Sequence, residues 1–127
     1  MLDPKTRALC QGPNFAAFTT LFADGTPQTQ MMWVGSDDTH LYINTEVHRA
    51  KFRNVERDPR VTVTVLDHSD AYSYVEVRGR VVDTISGDDA RNHIDELAHR
   101  YTGAAYANEV GSERVILKIA ADRELVH

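Results

Sequence analysis

A mainly β protein, a six-stranded antiparallel barrel with short covering helices, is the fold that this sequence predicts. Three observations carry that expectation. Val61-Thr62-Val63-Thr64-Val65 alternates strictly, and five other stretches carry apolar residues at or near a period of two. Clusters of turn-forming residues separate several of them, among them Asp24-Gly25, Gly35-Ser36-Asp37-Asp38 and Asp67-His68-Ser69-Asp70. Helical spacing is inserted only between strands three and four and between five and six, too few helices for a doubly wound sheet. At 127 residues the whole chain, 1–127, is one domain by length. A chain of this size buries on the order of two thirds of its unfolded surface, enough for a real core.

Asp3-Pro4, followed by 5–11 and then Gly12, supplies an N-cap, a proline at the first helical position and a stop, so a short helix opens the chain. Residues 14–22 form the first strand, apolar on both sides and so expected to be covered on both faces. Asp24-Gly25 turns it into a second strand over 27–34, with Gln28, Gln30 and Met32 facing one way and Thr29, Met31 and Trp33 the other. The glutamines suggest a lined cleft. The third strand is 40–44, and a short helix capped by Thr45 follows it and stops at Asp58, because Pro59 disfavours helical geometry in its predecessor. Strand four is 61–65. Strand five, 72–83, contains Gly79, which predicts a bulge or a close backbone approach. Ser86 and Asp89 resemble a capping box for the longest helix, along which Ala90, Ile94, Leu97, Ala98 and Tyr101 recur at helical spacing. A loop over 102–111 leads to the sixth strand, 113–120.

The third strand and the helix after it hold the densest chemistry. Asn44-Thr45 ends the strand, and Arg49 and Lys51 stand beside the helix start, where backbone N–H groups, helix dipole and side-chain charge can hold an anion together. Arg49, Arg53 and Arg57 taken alone form an ordinary solvated helix stripe, able to pair with Glu46 or Glu56.

Other classes are disfavoured by what the chain lacks. A net charge of −5 leaves no basic excess for nucleic acid. No apolar run of ~20 residues predicts a membrane span, and no leader pattern is present, so a cytoplasmic protein is expected. The single cysteine, Cys10, has no internal disulfide partner and is expected to be a bystander. GxGxxG and GxxxxGK[ST] are absent, and so is a GxSxG elbow. His93 and His99 stand six residues apart, roughly 240° around a helix, so they share no face and no metal site is expected. Glu76 and Arg78 fit a surface or interfacial ion pair better than an acid and base. Trp33, Tyr42 and the Met31-Met32 pair fit either packing in a core or interface, or a substrate pocket.

With the elements placed, the chain resembles the split β-barrel flavin and deazaflavin oxidoreductases related to pyridoxamine 5′-phosphate oxidase, and most closely the branch that uses the deazaflavin F420. The resemblance rests on Asn14-Phe15-Ala16-Ala17-Phe18-Thr19-Thr20, Asp24-Gly25-Thr26-Pro27-Gln28, Arg49-Ala50-Lys51-Phe52-Arg53-Asn54, Arg57-Asp58-Pro59-Arg60 and Tyr74-Val75-Glu76-Val77-Arg78-Gly79. It implies that Arg49 and Lys51, with Ala50 between them, hold a cofactor phosphate, with Asn44 and Thr45 adding polar contacts. It also places Gln28 and the backbone about Met31 near the ring system and Tyr72 in the pocket wall, and leaves Arg53 and Arg57 as scaffold. It implies a homodimer with F420, or alternatively FMN, at the subunit interface. The function so implied is hydride transfer from reduced F420 to a small, conjugated, electron-poor organic acceptor. The alternatives are a non-enzymatic flavin, deazaflavin or tetrapyrrole carrier and an FMN-dependent enzyme like pyridoxamine 5′-phosphate oxidase.

Overall fold

The computed structural model describes residues 1–107 and 112–127; the last part of the loop expected over 102–111 lies outside the described residues. In chain order the elements are α1 (Pro4–Gln11), β1 (Ala16–Leu21), β2 (Pro27–Met32), β3 (Gly35–Ser36), β4 (His40–Glu46), α2 (Ala50–Arg57), β5 (Arg60–Asp67), β6 (Asp70–Ser86), α3 (Asp88–Thr102) and β7 (Arg114–Val126). All seven strands form one antiparallel sheet in the order β2-β1-β5-β6-β7-β4-β3.

The mainly β class and the helical covers are as the sequence predicts. The strand count is corrected from six to seven, because Gly35-Ser36, expected as part of a turn, pairs with Tyr42 and Leu41. β2 and β3 lie at opposite ends of the strand order, yet only Trp33 and Val34 separate them in sequence. Two linking residues span at most roughly 10 Å. The sheet must therefore curl until its edges nearly meet, and Trp33-Val34 straps the opening. The strap is pinned by α3: the Val34 N–H donates to the Tyr101 hydroxyl at 3.1 Å, and Arg100 Nη1 donates to the carbonyls of Val34 at 2.9 Å and Cys10 at 3.0 Å.

Inside the curl, Phe18, Leu41, Ile43, Val63, Val65, Val75, Val77, Leu117 and Ile119 form a buried core contributed by β1, β4, β5, β6 and β7. β1 alternates buried and partly exposed residues, so it is covered on one face rather than both. Cys10 is wholly buried, and desolvation pushes its thiol up to about 12, which makes it a packed, unreactive side chain. Register shifts in the β6–β7 ladder fall at Arg78/Gly79 and Val81/Asp83. The first confirms the bulge expected at Gly79. It lets two long strands bend around the core.

Two helix starts differ from expectation. Thr45 does not cap α2; it continues β4 opposite Val115, and α2 begins at Ala50, with Arg49 at its N-cap and no side-chain cap. Arg49 thus precedes the helix instead of lying on its face with Arg53 and Arg57. Nor does Ser86 cap α3, since it stays in β6 opposite Val115 and Gly87, at φ 74°, takes the N-cap. In both places a long-range strand ladder outweighs a local capping preference. Glu76 and Arg78 pair on the surface at 2.9 Å. No helix among the described residues is long and apolar enough to cross a membrane.

Candidate functional site

The β4–β7 register builds the site. Asn44, Thr45 and Glu46 stand opposite Ile116, Val115 and Arg114 respectively, so Glu46 and Arg114 are cross-strand neighbours and Asn44 lies diagonal to Arg114. Arg114 Nη1 donates to Glu46 Oε1 at 3.2 Å and its Nε to Asn44 Oδ1 at 2.8 Å, all three side chains being buried. The Arg114 guanidinium also lies 5.3 Å from the centre of the Tyr106 ring. This grouping joins residues about seventy positions apart, and neither Arg114 nor Glu46 is among the site residues expected from the sequence.

Two adjoining clefts, of about 250 and 260 Å³, open where β2 approaches β4 and β7. They share Met31, Met32, Asn44, Tyr106 and Arg114. One is largely apolar, completed by Phe15, Trp33, Ile94 and Leu97. Its aromatic wall is ordered: Trp33 stacks on Tyr101 at 5.2 Å and meets Tyr106 edge-on at 6.2 Å. The other is polar, completed by Gln30, Thr45, Arg49 and Lys51.

In the polar cleft, Lys51 is only 7% exposed, yet neither its ammonium nor the Arg49 guanidinium has a hydrogen-bond or ion-pair partner among the described residues. Burial, reinforced by the positive charges of Arg49 and Arg114, holds the Lys51 ammonium below its ordinary pKa. The N–H groups of Ala50 and Lys51 begin an uncapped helix beside it. A buried cation short of a counter-charge, next to a second one and to open N–H groups, is the donor set of an anion site. Such a donor set suits a phosphate group, and the adjoining apolar cleft suits a flat ring.

The structure brings Met31, Asn44, Thr45, Arg49 and Lys51 into one cleft. It does not bring the other three sequence-named residues there. Ala50 sits at the helix start, Gln28 Oε1 accepts from Asn54 Nδ2 at 3.5 Å behind the cleft, and Tyr72 stands 90% exposed near the β5–β6 turn. Arg57 serves as scaffold, donating to the Leu21 carbonyl at 2.6 Å and to Asn54 Oδ1 at 3.1 Å.

His48, Glu46 and Ser112 form no proton relay, because Ser112 Oγ at 2.6 Å and Glu46 Oε2 at 3.1 Å both address the same ring nitrogen, Nδ1. Among the described residues no three His, Cys, Asp or Glu side chains gather as a metal site. His93 instead packs behind Asn44, outside the lining of both clefts, with Nδ1 3.0 Å from Asn44 Nδ2. Burial, with Arg100 and Arg114 nearby, lowers its pKa from the ordinary 6.5 to about 4. Because the folded value is the lower one, the unfolded chain takes up the proton first. Stability should therefore fall as pH drops from 6.5 towards 4. Urea midpoints across that range should decline more steeply for the wild type than for His93→Gln; equal slopes would show that His93 titrates freely in the fold.

A curled antiparallel sheet with a cationic cleft beside an aromatic one defines a split-barrel protein. The family model described as pyridoxamine 5′-phosphate oxidase matches residues 2–127, and the chain belongs to that family. Among solved structures, it is similar to one described as an F420 reductase, at 29% identity over 94% of each chain with a TM-score of 0.83. A conserved hypothetical protein of Mycobacterium tuberculosis, Rv2991, aligns at 22% identity over 98% of this chain and 82% of that one, with a TM-score of 0.77. General stress protein 26 of Bacillus anthracis aligns at 23% identity over 94% and 88%, with a TM-score of 0.70. The last two likenesses bear on the fold alone.

Proposed function

We propose that this protein is an oxidoreductase that binds F420 and passes a hydride from the reduced cofactor to a conjugated, electron-poor organic acceptor. The observation that carries the proposal is the uncompensated Arg49–Lys51 pair at the uncapped start of α2, opening directly into the aromatic cleft. The likeness to an F420 reductase over nearly the full chain favours the deazaflavin over FMN.

Arg49 and Lys51 would hold the cofactor phosphate, and Thr45 and Gln30 border the same cleft. Met31, Met32, Phe15 and Trp33 would supply apolar walls that orient a flat ring and keep bulk water from it. The chemistry supplied with F420 bound is hydride delivery, for which the protein needs to bind and orient more than to react. Neither a carboxylate nor an imidazole lines either cleft among the described residues, so the proton that completes reduction comes from water or from the two bordering groups that carry a dissociable proton, Lys51 and Tyr106. Tyr72, which is 90% exposed and outside the cleft of its own chain, would be available to a second copy in a homodimer.

Titration of the purified protein with F420 and with FMN tests this reading. Micromolar or tighter binding of F420 is expected, whereas tight FMN binding without F420 binding would replace it with a flavin-dependent enzyme. If F420 binds but its reduced form is never oxidised across quinones, enones, tetrapyrroles and nitro compounds, the protein is a carrier.

A further inference from the structure

We propose that Arg114 is a third anion-binding cation of this cleft, and that Asn44 and His93 are positioning residues that aim it from beneath. The proposal rests on the reading of the cleft as an anion site and adds a ligand that neither the sequence motif nor the Arg49–Lys51 pair supplies.

Asn44 is the pivot. Its two amide hydrogens go to the Ala90 carbonyl at 2.9 Å and to His93 Nδ1 at 3.0 Å, both on α3, while its Oδ1 accepts from Arg114 Nε at 2.8 Å. The opposite amide orientation would set NH2 against the Arg114 N–H and C=O against the Ala90 carbonyl, so the assignment follows from the partners. Accepting from Asn44 requires His93 to be neutral, with its proton on Nε2. That tautomer agrees with its burial beside Arg100 of α3 and Arg114 of β7, and with the edge of the Tyr42 ring from β4 as its neighbour.

Asn44 therefore has no hydrogen left to offer a phosphate, although it borders both clefts. Arg114 does. Its Nε and Nη1 are held by Asn44 and Glu46, its ring neighbour Tyr106 covers one flank, and Nη2 has no partner among the described residues. A guanidinium held at two of its nitrogens and open at the third is aimed, having lost its side-chain freedom before a ligand arrives. Arg114 also lies close enough to Lys51 to lower its pKa. Arg49, Lys51 and Arg114 consequently present three positive charges, with Glu46 balancing one. The ligand that suits them is a phosphate ester with several oxygens to share.

The test is calorimetry with two probes, inorganic pyrophosphate and F420, on Arg114→Gln, Asn44→Leu, their double variant and Arg53→Gln. Arg53 is exposed on α2 away from the cleft lining and serves as the control. Arg114→Gln and Asn44→Leu should each weaken both probes about tenfold, the scale of one charge-assisted hydrogen bond. The double variant should be no weaker than Arg114→Gln, because Asn44 acts through Arg114. In an Arg114→Lys background, whose point charge Asn44 does not grip at Nε, Asn44→Leu should no longer matter. A purely structural Asn44 would weaken binding in every background. Should Asn44→Leu fail to fold, His93→Phe takes its place in the cycle. Unchanged pyrophosphate affinity in Arg114→Gln, or additive losses in the double variant, would overturn the proposal. If the wild type takes pyrophosphate but not F420, the cofactor reading falls and this one stands; if it takes F420 while Arg114→Gln binds both probes as before, the reverse holds. Binding of neither probe overturns both.

Discussion

Replacing Lys51 by alanine is expected to weaken F420 binding by roughly 1 to 3 kcal/mol, the range for a charge-assisted hydrogen bond lost from a site. Lys51 is the most buried of the two uncompensated cations, so its charge is the least screened by water. The same burial has a second consequence. With the folded pKa below the unfolded 10.5, the unfolded chain binds more protons between those two values. Stability should therefore rise as pH climbs through that window, and at neutral pH the charged lysine is a standing cost to the empty protein. Lys51→Met, which keeps an apolar stem, should accordingly raise stability by about 1 kcal/mol while weakening F420 binding as Lys51→Ala does. Calorimetry with F420 reads the first effect and urea unfolding the second. Unchanged affinity would move the phosphate site elsewhere, and a less stable Lys51→Met would show that the ammonium already has its charge balanced.

Gly79→Ala is expected to destabilise the fold by about 3 kcal/mol, the upper part of the range for forced overpacking. A Cβ on Gly79 would lie 2.1 Å from the Ala120 carbonyl oxygen, a backbone atom that no side-chain rotation can move aside. The clash falls at the bulge where β6 and β7 change register. Relief requires the two longest strands to separate. The lower urea midpoint should come with a faster unfolding rate, and a change below 0.5 kcal/mol would mean that the bulge slides to a neighbouring residue.

Much of the fold was legible because it follows from local patterns. Strict alternation places β5, Asp24-Gly25 turns β1 into β2 with Gly25 at φ 86°, and Asp3-Pro4 starts α1, with the Asp3 side chain accepting from the Lys5 N–H. Arg49 and Lys51 were legible for the same reason, lying two residues apart at a helix start. Arg114 was not. Within Glu113-Arg114-Val115 it is an ordinary strand-end charge, and only the register of β4 against β7 sets it opposite Glu46. The opposite charges ending two strands were a signal, but a one-residue slip would have turned them to different faces. His93 likewise invites comparison with other histidines until the packing of α3 brings it to Asn44. Tyr72, named from resemblance alone, lies on the outer surface of its own chain, where only another molecule can use it.

The two-residue strap at Trp33-Val34 makes the width of the binding cleft a question of chain length. Across that opening no ladder of backbone hydrogen bonds sets the spacing between the sheet's edge strands; the tether does, with Arg100 and Tyr101 as its fastenings. Each residue inserted between Met32 and Gly35 would add up to about 3.5 Å of slack without altering a single strand. The cations Arg49, Lys51 and Arg114 would stay where they are, while the aromatic wall carried by the strap moved outward. One short segment thus adjusts the slot for a bulkier or slimmer guest, independently of the grip on its tail.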